Sequence, residues 1–238
     1  MRSLSSQMPV SQTAYDLLRK TFHALSNLNV RRRERTLVSR YLDKNGTRKL
    51  HIGCGGNVLD GWLNSDYFPK NPMVIHLDAT RQFPFASDTF DYIFSEHMIE
   101  HIKYFEGVHM LKECSRTLKP GGRIRISTPD LQFLISLYSE EKSDLQRDYI
   151  NWACDTFVRN DVKNDTMVIN NFVRDWGHLF IYDEKTLRKA LETAGFVDIM
   201  AFKINESNDV ALRGLENESR MPAGFLKLES FTLEARKN

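Results

Sequence analysis

Cysteine is scarce. Cys54, Cys114 and Cys154 are the three in the chain, an odd number without paired spacing, which excludes a disulfide framework and suits a reducing compartment. Net charge is nearly absent as well, with 33 Lys and Arg against 31 Asp and Glu, so no global field points to a nucleic acid or a membrane. No apolar run approaches the roughly 20 residues that span a bilayer. The opening MRSLSSQMPVSQ lacks a signal-peptide hydrophobic core, and a cytoplasmic protein is expected. Repeats and low-complexity tracts are also missing. What remains is a 238-residue chain, 41% hydrophobic and 27% charged, the composition of one globular domain with an added element.

The charge is unevenly placed. Residues 1–50 hold 11 basic side chains against 3 acidic ones. An amphipathic helix is expected over AYDLLRKTFHALSNL, with Leu17, Leu18, Phe22, Leu25 and Leu28 at helical spacing. Arg31, Arg32, Arg33 and Arg35 follow it, a cluster suited to phosphate or an acidic lipid surface, or simply a solvated helix face. A basic helical extension over 1–45 and a main domain over 46–238 are therefore expected.

From residue 49 the pattern changes to short apolar runs: KLHIG, WLNSD, MVIHL, FDYIF and RIRIS, read as five strands. YFEGVHMLKECSRTLKPGG reads as a helix stopped by Pro120-Gly121-Gly122. DEKTLRKALETAGF reads as a capped helix ending at Gly195, and FVDIMAFKI and FLKLESFTLEA as two closing strands. The alternation implies an α/β fold: a Rossmann-like, seven-stranded, mostly parallel sheet with helices on both faces and an antiparallel C-terminal strand pair, plus N-terminal helices. The aromatic-rich stretch at about 140–180 is too long for a connector and reads as a lid or substrate-recognition insertion.

Chemistry concentrates at the strand ends. Gly53-Cys54-Gly55-Gly56 leaves the first strand, where missing β-carbons let backbone N–H groups approach a ligand. Asp66 ends the second strand, placed to take both hydroxyls of a ribose, and Asp78-Ala79 end the third, placed to meet an adenine amino group. A dinucleotide-dependent oxidoreductase also uses glycines and a strand-end acid. It wants G-x-G-x-x-G opening a full helix and an acid about 20 residues on, and GCGGNVLDG with Asp66 fits that less well. His97-Met98-Ile99-Glu100-His101 is a literal H-x-x-E-H, which on a helix aims two histidines to one side, as in zinc peptidases. That chemistry needs a third ligand and a two-helix scaffold.

Taken together, LHIGCGG, LNSDYF, HLDATRQFPFASDTFDYIFSEHMIEHI and MLKECSRTLKPGGRIRISTPDL resemble, in order and spacing, the class I S-adenosylmethionine (SAM) dependent methyltransferases, in particular the type 11 group, over about 49–200. The resemblance implies SAM as cofactor. Gly53, Cys54 and Gly55 would line its methionine part, Asp66 its ribose, Asp78 and Ala79 its adenine, and Ser95 would offer backbone groups near the sulfonium. His97, Glu100 and His101 are the candidate catalytic residues. Whether they hold a divalent ion with His178 of DWGHLF, act as a base, or only fix the loop is open at this point. Two positions depart from the family pattern: His51 stands where many members carry an acid, and Asn57 where a third glycine is common. The closeness of Asp66 to the glycine turn predicts an abbreviated first helix and an open cofactor pocket. Phe172, Trp176, His178, Phe180 and Tyr182 either belong to the core, the commoner role of such residues, or wall an acceptor pocket, and Asp130 either borders it or caps the following helix. The acceptor expected is a small molecule or a glycan or lipid precursor, methylated on a hydroxyl or amine, with peripheral membrane contact through Arg31, Arg32 and Arg33 and no nucleic acid. The contrasting reading is a non-catalytic partner subunit with the SAM fold.

Overall fold

The protein is represented by a computed structural model that describes residues 32–44, 46–158 and 161–238. The chain divides after Lys44 into two units. In the first, a helix covers residues 32–42, with Arg32, Arg33 and Arg35 exposed on it. The amphipathic helix expected over 14–28, and Arg31, lie outside the described residues. Among the described residues no helix is long and apolar enough to cross a membrane.

The second unit is built on one seven-stranded sheet. Its strands are β1 (Lys49–Ile52), β2 (Leu63–Asp66), β3 (Ile75–His76), β4 (Phe90–Glu96), β5 (Leu118–Pro129), β6 (Phe196–Phe202) and β7 (Ser230–Lys237), in the order β3-β2-β1-β4-β5-β7-β6. Strands β1 to β5 pair in parallel, and β7 runs antiparallel to both β5 and β6. The expected antiparallel closing pair is present, with β7 inserted beside β5 and β6 on the edge. Consecutive residues of β4 and β5 are buried, Ile93, Phe94 and Ser95 among them, so these strands are covered on both faces, as a parallel sheet requires.

Local chemistry sets the element boundaries, and it departs from expectation in two places. The helix α1 (Tyr104–Thr117) returns the chain from β4 to β5. Pro120, Gly121 and Gly122, expected only to stop it, lie in an irregularity within β5, where pairing jumps from Phe90 with Leu118 to Tyr92 with Arg123. The segment FLKLE, expected to open the last strand, is instead a short helix, Phe225–Glu229, entered from Gly224 at φ +87° and buried through Phe225 and Leu226. The capped helix expected before β6 is present as Glu184–Thr193, with the Asp183 carboxylate accepting the Thr186 N–H and Gly195 at φ +89°.

The crossover from β1 to β2 contains only turns, which is the expected abbreviation in an extreme form, since parallel crossovers normally carry a helix. The insertion folds as two helices, α2 (Asp144–Ala153) and α3 (Asp165–Arg174), on their own core of Tyr149, Ile150, Ala153, Val168 and Phe172 with Phe133 and Phe225. The irregular chain between β6 and β7 is pinned by Arg125 of β5. This fully buried guanidinium donates to Glu216 and Glu234 at 2.6 Å each and to the Glu206 carbonyl at 2.8 Å, so its donors are met where an unpaired charge would be costly.

The chain moves outward from β1 through β2 to β3, then returns to the other side of β1 as β4. That reversal opens a crevice beyond the carboxyl ends of β1 and β4, where open α/β sheets bind ligands.

Candidate functional site

The glycine turn leaves β1 at this crevice. Gly53 has φ +70°, and a β-carbon there would stand 2.3 Å from Met98 Cγ, so the position admits no side chain without displacement. Gly55, at φ +50°, would place a β-carbon in open space. Its N–H donates to Asp66 Oδ2 at 2.9 Å, while Asp66 Oδ1 accepts the Phe68 N–H at 2.8 Å. One carboxylate at the end of β2 therefore ties the glycine turn to the segment following β2. Asp78 accepts both the Thr80 N–H, at 3.0 Å, and its hydroxyl, at 2.7 Å. Burial pushes the Asp78 carboxyl up, but these bonds and the nearby Arg81 and His76 outweigh it and leave it below the usual range.

Gly53, Gly55, Asp66, Asp78 and Ala79 line one cavity of about 640 Å³. Tyr67, Phe68, Thr80, Met98 and Glu106 line it too and were not anticipated. The first two had a readable signal, as an aromatic pair directly after Asp66; Phe68 is 74% exposed. Cys54 and Ser95 are not among the lining residues. The Cys54 N–H donates to the Ser65 carbonyl at 2.9 Å, and burial raises its thiol to about 11. Ser95 is buried at the end of β4 with its hydroxyl unpartnered.

His51 and Asn57 also point elsewhere. The His51 ring lies in the core against Phe94 and Trp62, with Nδ1 3.1 Å from Asn64 Oδ1. Asn57 donates to Glu96 and to the Leu215 carbonyl.

H-x-x-E-H is not a helix. His97 adopts φ +47°, and only Ile99–His101 form a single tight turn, so the two histidines do not share a helical face. They converge by a different route. His97 Nε2 lies 2.7 Å from Ser230 Oγ and its Nδ1 3.6 Å from Glu100 Oε1, while His101 Nε2 is 4.0 Å from the same oxygen. The His101 and His178 rings are 4.9 Å apart. Burial pushes all three imidazoles down, His97 well below its usual range and His178 to about 4. Burial likewise lifts the carboxyls of Glu100 to about 8 and Glu229 to about 7, the latter bonded by the Tyr149 hydroxyl.

A second cavity, about 290 Å³, lies on the other side of these histidines. His97 and His101 border both cavities. Phe172, Trp176 and His178 wall the second one, joined by Trp152, Phe157, Arg220 and Glu229. Phe180 and Tyr182 do not reach it: Phe180 packs on Tyr104, and Tyr182 is buried with its hydroxyl aimed at Gly107. Pro129 borders it, while Asp130 caps the helix Leu131–Ser136 through the Gln132 N–H. Arg220 and Glu229 had no local signal, lying more than 100 residues from His97.

No curated protein matches the chain. Among solved structures it is similar to a SAM-dependent methyltransferase from Archaeoglobus fulgidus, at 18% identity over 94% of this chain and 99% of that one, with a TM-score of 0.49. It is similar as well to phosphoethanolamine N-methyltransferase 2 of Haemonchus contortus, in complex with SAM, at 16% identity and a TM-score of 0.43. That match covers 86% of this chain, which spans about half (52%) of the length of the Haemonchus enzyme. A family model described as a methyltransferase domain matches residues 27–200. The chain belongs to this methyltransferase-domain family.

Proposed function

We propose that the protein methylates a hydroxyl or amine of a small molecule, or of a glycan or lipid precursor, held in the 290 Å³ cavity while SAM occupies the 640 Å³ one. The observation that carries this reading is the shared border: His97 and His101 line both cavities, so donor and acceptor would meet across two imidazoles. Methyl transfer is an in-line displacement whose main demand is alignment of donor and acceptor away from water.

The residues of the larger cavity suit SAM. Gly53 and Gly55 border it without side chains, which leaves their backbone open to a ligand. Each Asp66 oxygen accepts one backbone N–H and keeps lone-pair capacity for ribose hydroxyls, and Asp78 stands one strand further for the adenine. When bound, SAM supplies an electrophilic methyl group on a sulfonium. Around the acceptor, Trp152, Phe157 and Trp176 give faces for a ring, and Arg220 gives a fork of donors matched to a carboxylate or phosphate. The imidazole of His97, held neutral by burial, supplies a base for the acceptor proton.

The test is a SAM titration followed by a screen of hydroxyl, amine, glycan and lipid-precursor acceptors with SAM labelled in its methyl group. Asp66→Ala removes charge-assisted bonds of about 1.5 to 3 kcal/mol, so SAM affinity should fall roughly ten- to 150-fold. Unchanged affinity would count against the assigned ribose site, and failure of the native protein to bind SAM would favour the partner-subunit reading.

A further inference from the structure

We propose that Glu100, His101 and His178 form a binding site for one first-row divalent cation of the zinc or iron(II) class, with its open positions facing the acceptor cavity. The site stands on its donor set; its role in holding an acceptor oxygen rests on the cavity assignment above.

One donor atom from each of the three residues lies within 4.8 Å of the others. Proximity alone would not distinguish a cation site from a polar cluster. The orientation of the donors does. His101 Nδ1 stands 3.3 Å from the Gly177 carbonyl and His178 Nδ1 2.7 Å from the Phe172 carbonyl. A carbonyl only accepts, so each Nδ1 carries the proton and each Nε2 keeps its lone pair. Metal-binding histidines are fixed in the same way, the second nitrogen donating to a backbone carbonyl.

The carboxylate tells the same story. Glu100 is fully buried; its Oε2 accepts the Thr128 hydroxyl at 3.1 Å, and its Oε1 has no hydrogen-bond partner. An orphaned buried carboxylate oxygen is costly unless something positive satisfies it. The groups facing that oxygen are His97 Nδ1, at 3.6 Å, and His101 Nε2, at 4.0 Å, both beyond hydrogen-bond reach. One donor atom of each residue thus lies within 4.8 Å of the others, His101 Nε2 4.0 Å from the orphaned Glu100 oxygen, and Glu100, His101 and His178 all border the acceptor cavity.

Two imidazoles and one carboxylate are the donor set that zinc and iron(II) prefer over magnesium. Ligand bonds of about 2.0 to 2.2 Å require the triad to draw inward by roughly 1 Å on binding. The remaining coordination positions take water or an oxygen donor of the acceptor, and His97 stays outside the set as the base beside it.

The experiment uses the full chain, treated with EDTA, desalted and titrated without SAM, first with Zn²⁺ by calorimetry and then with Co²⁺ by its visible d–d absorption. One cation per chain is expected, with affinity reduced at least about tenfold in both Glu100→Gln and His178→Gln. Glu100→Gln keeps the side-chain shape and the Thr128 bond, and SAM titration of each variant reports separately whether the fold is intact. A native protein that binds no cation, or binding indifferent to either substitution, overturns the site. A cation bound by a protein that does not bind SAM would instead refute the cofactor cavity and leave this site standing.

Discussion

His51 occupies the position at which many family members carry an acid, and its surroundings make a quantitative demand. The ring is 1% exposed on β1, its centroid 4.9 Å from that of Phe94 and 6.5 Å from that of Trp62. Nδ1 faces Asn64 Oδ1 at 3.1 Å, an acceptor, so it holds the proton; Nε2 has no partner. A second proton on Nε2 would enter an apolar pocket. Burial accordingly lowers the group from 6.5 to about 4, against the opposing effects of the Asn64 bond and the Asp66 charge. The unfolded chain binds this proton near pH 6.5 and the folded one only near 4, so the stability present at neutral pH is lost as pH falls through that window. A gap of about 2.5 units corresponds to roughly 3.4 kcal/mol in full, of which about 2 kcal/mol is lost by pH 5. Urea unfolding at about pH 7.5 and about pH 5 measures the loss, and His51→Leu removes the titration while keeping the bulk. The native protein should lose about 2 kcal/mol more than the variant between the two conditions. His97, His101 and His178 are lowered in the same direction, and Glu100 and Glu229 raised in the opposite one, but all are common to both proteins and cancel in the difference. Equal losses, within about 0.5 kcal/mol, would refute the buried, neutral His51.

The two glycines of the first turn should respond unequally. Gly53→Ala meets Met98 and a left-handed backbone, costing about 2 to 4 kcal/mol and lowering the melting temperature by roughly 5 to 15 °C. Gly55→Ala carries the same left-handed strain, at φ +50°, but its β-carbon meets no atom, so it should shift melting less than Gly53→Ala while weakening SAM binding; calorimetry of both variants checks the contrast, and equal melting shifts would contradict it. Trp176 packs edge-on to Phe157 and stands against His178 in the 290 Å³ cavity. Trp176→Ala should raise the KM for the acceptor roughly three- to tenfold and leave SAM affinity unchanged; a loss of SAM binding instead would contradict the separation of the two cavities.

The sheet was legible because its information is local. Short apolar runs ending in Gly53, Asp66 and Asp78 mark strands whose carboxyl ends meet at one crevice, and a strand end needs no distant partner to be recognised. The same locality explains the departures. FLKLESFTL reads locally as strand, yet Phe225 is buried in the core of the insertion with Leu228 packed against it, and the first five residues turn helical; tertiary packing overrides the local pattern. Cys54 falls in the right order in the turn, but it lies between two glycines of positive φ, and it is buried while Gly53 and Gly55 line the cavity. Arg220 and Glu229 reach the 290 Å³ cavity only through the folding of the last quarter of the chain, and no spacing in the sequence announces them.

The least legible feature is also the one on which the proposed chemistry turns. A histidine at φ +47° costs on the order of 1 kcal/mol and persists only where its surroundings over-determine it. They do so here: the His97 N–H donates to the Ser127 carbonyl at 2.8 Å, and Nε2 is held by Ser230 at the start of β7. A relaxed, helical H-x-x-E-H would carry His97 and His101 along one helical face. The reversal at His97 instead ends β4 abruptly, turns the chain across the crevice, and sets both imidazoles in the partition between the two cavities. A displacement that must align donor, methyl and acceptor needs such a partition more than it needs a strong acid or base. The strain at one backbone position is thus accounted for by where it places two side chains, which no helical reading of the motif would do.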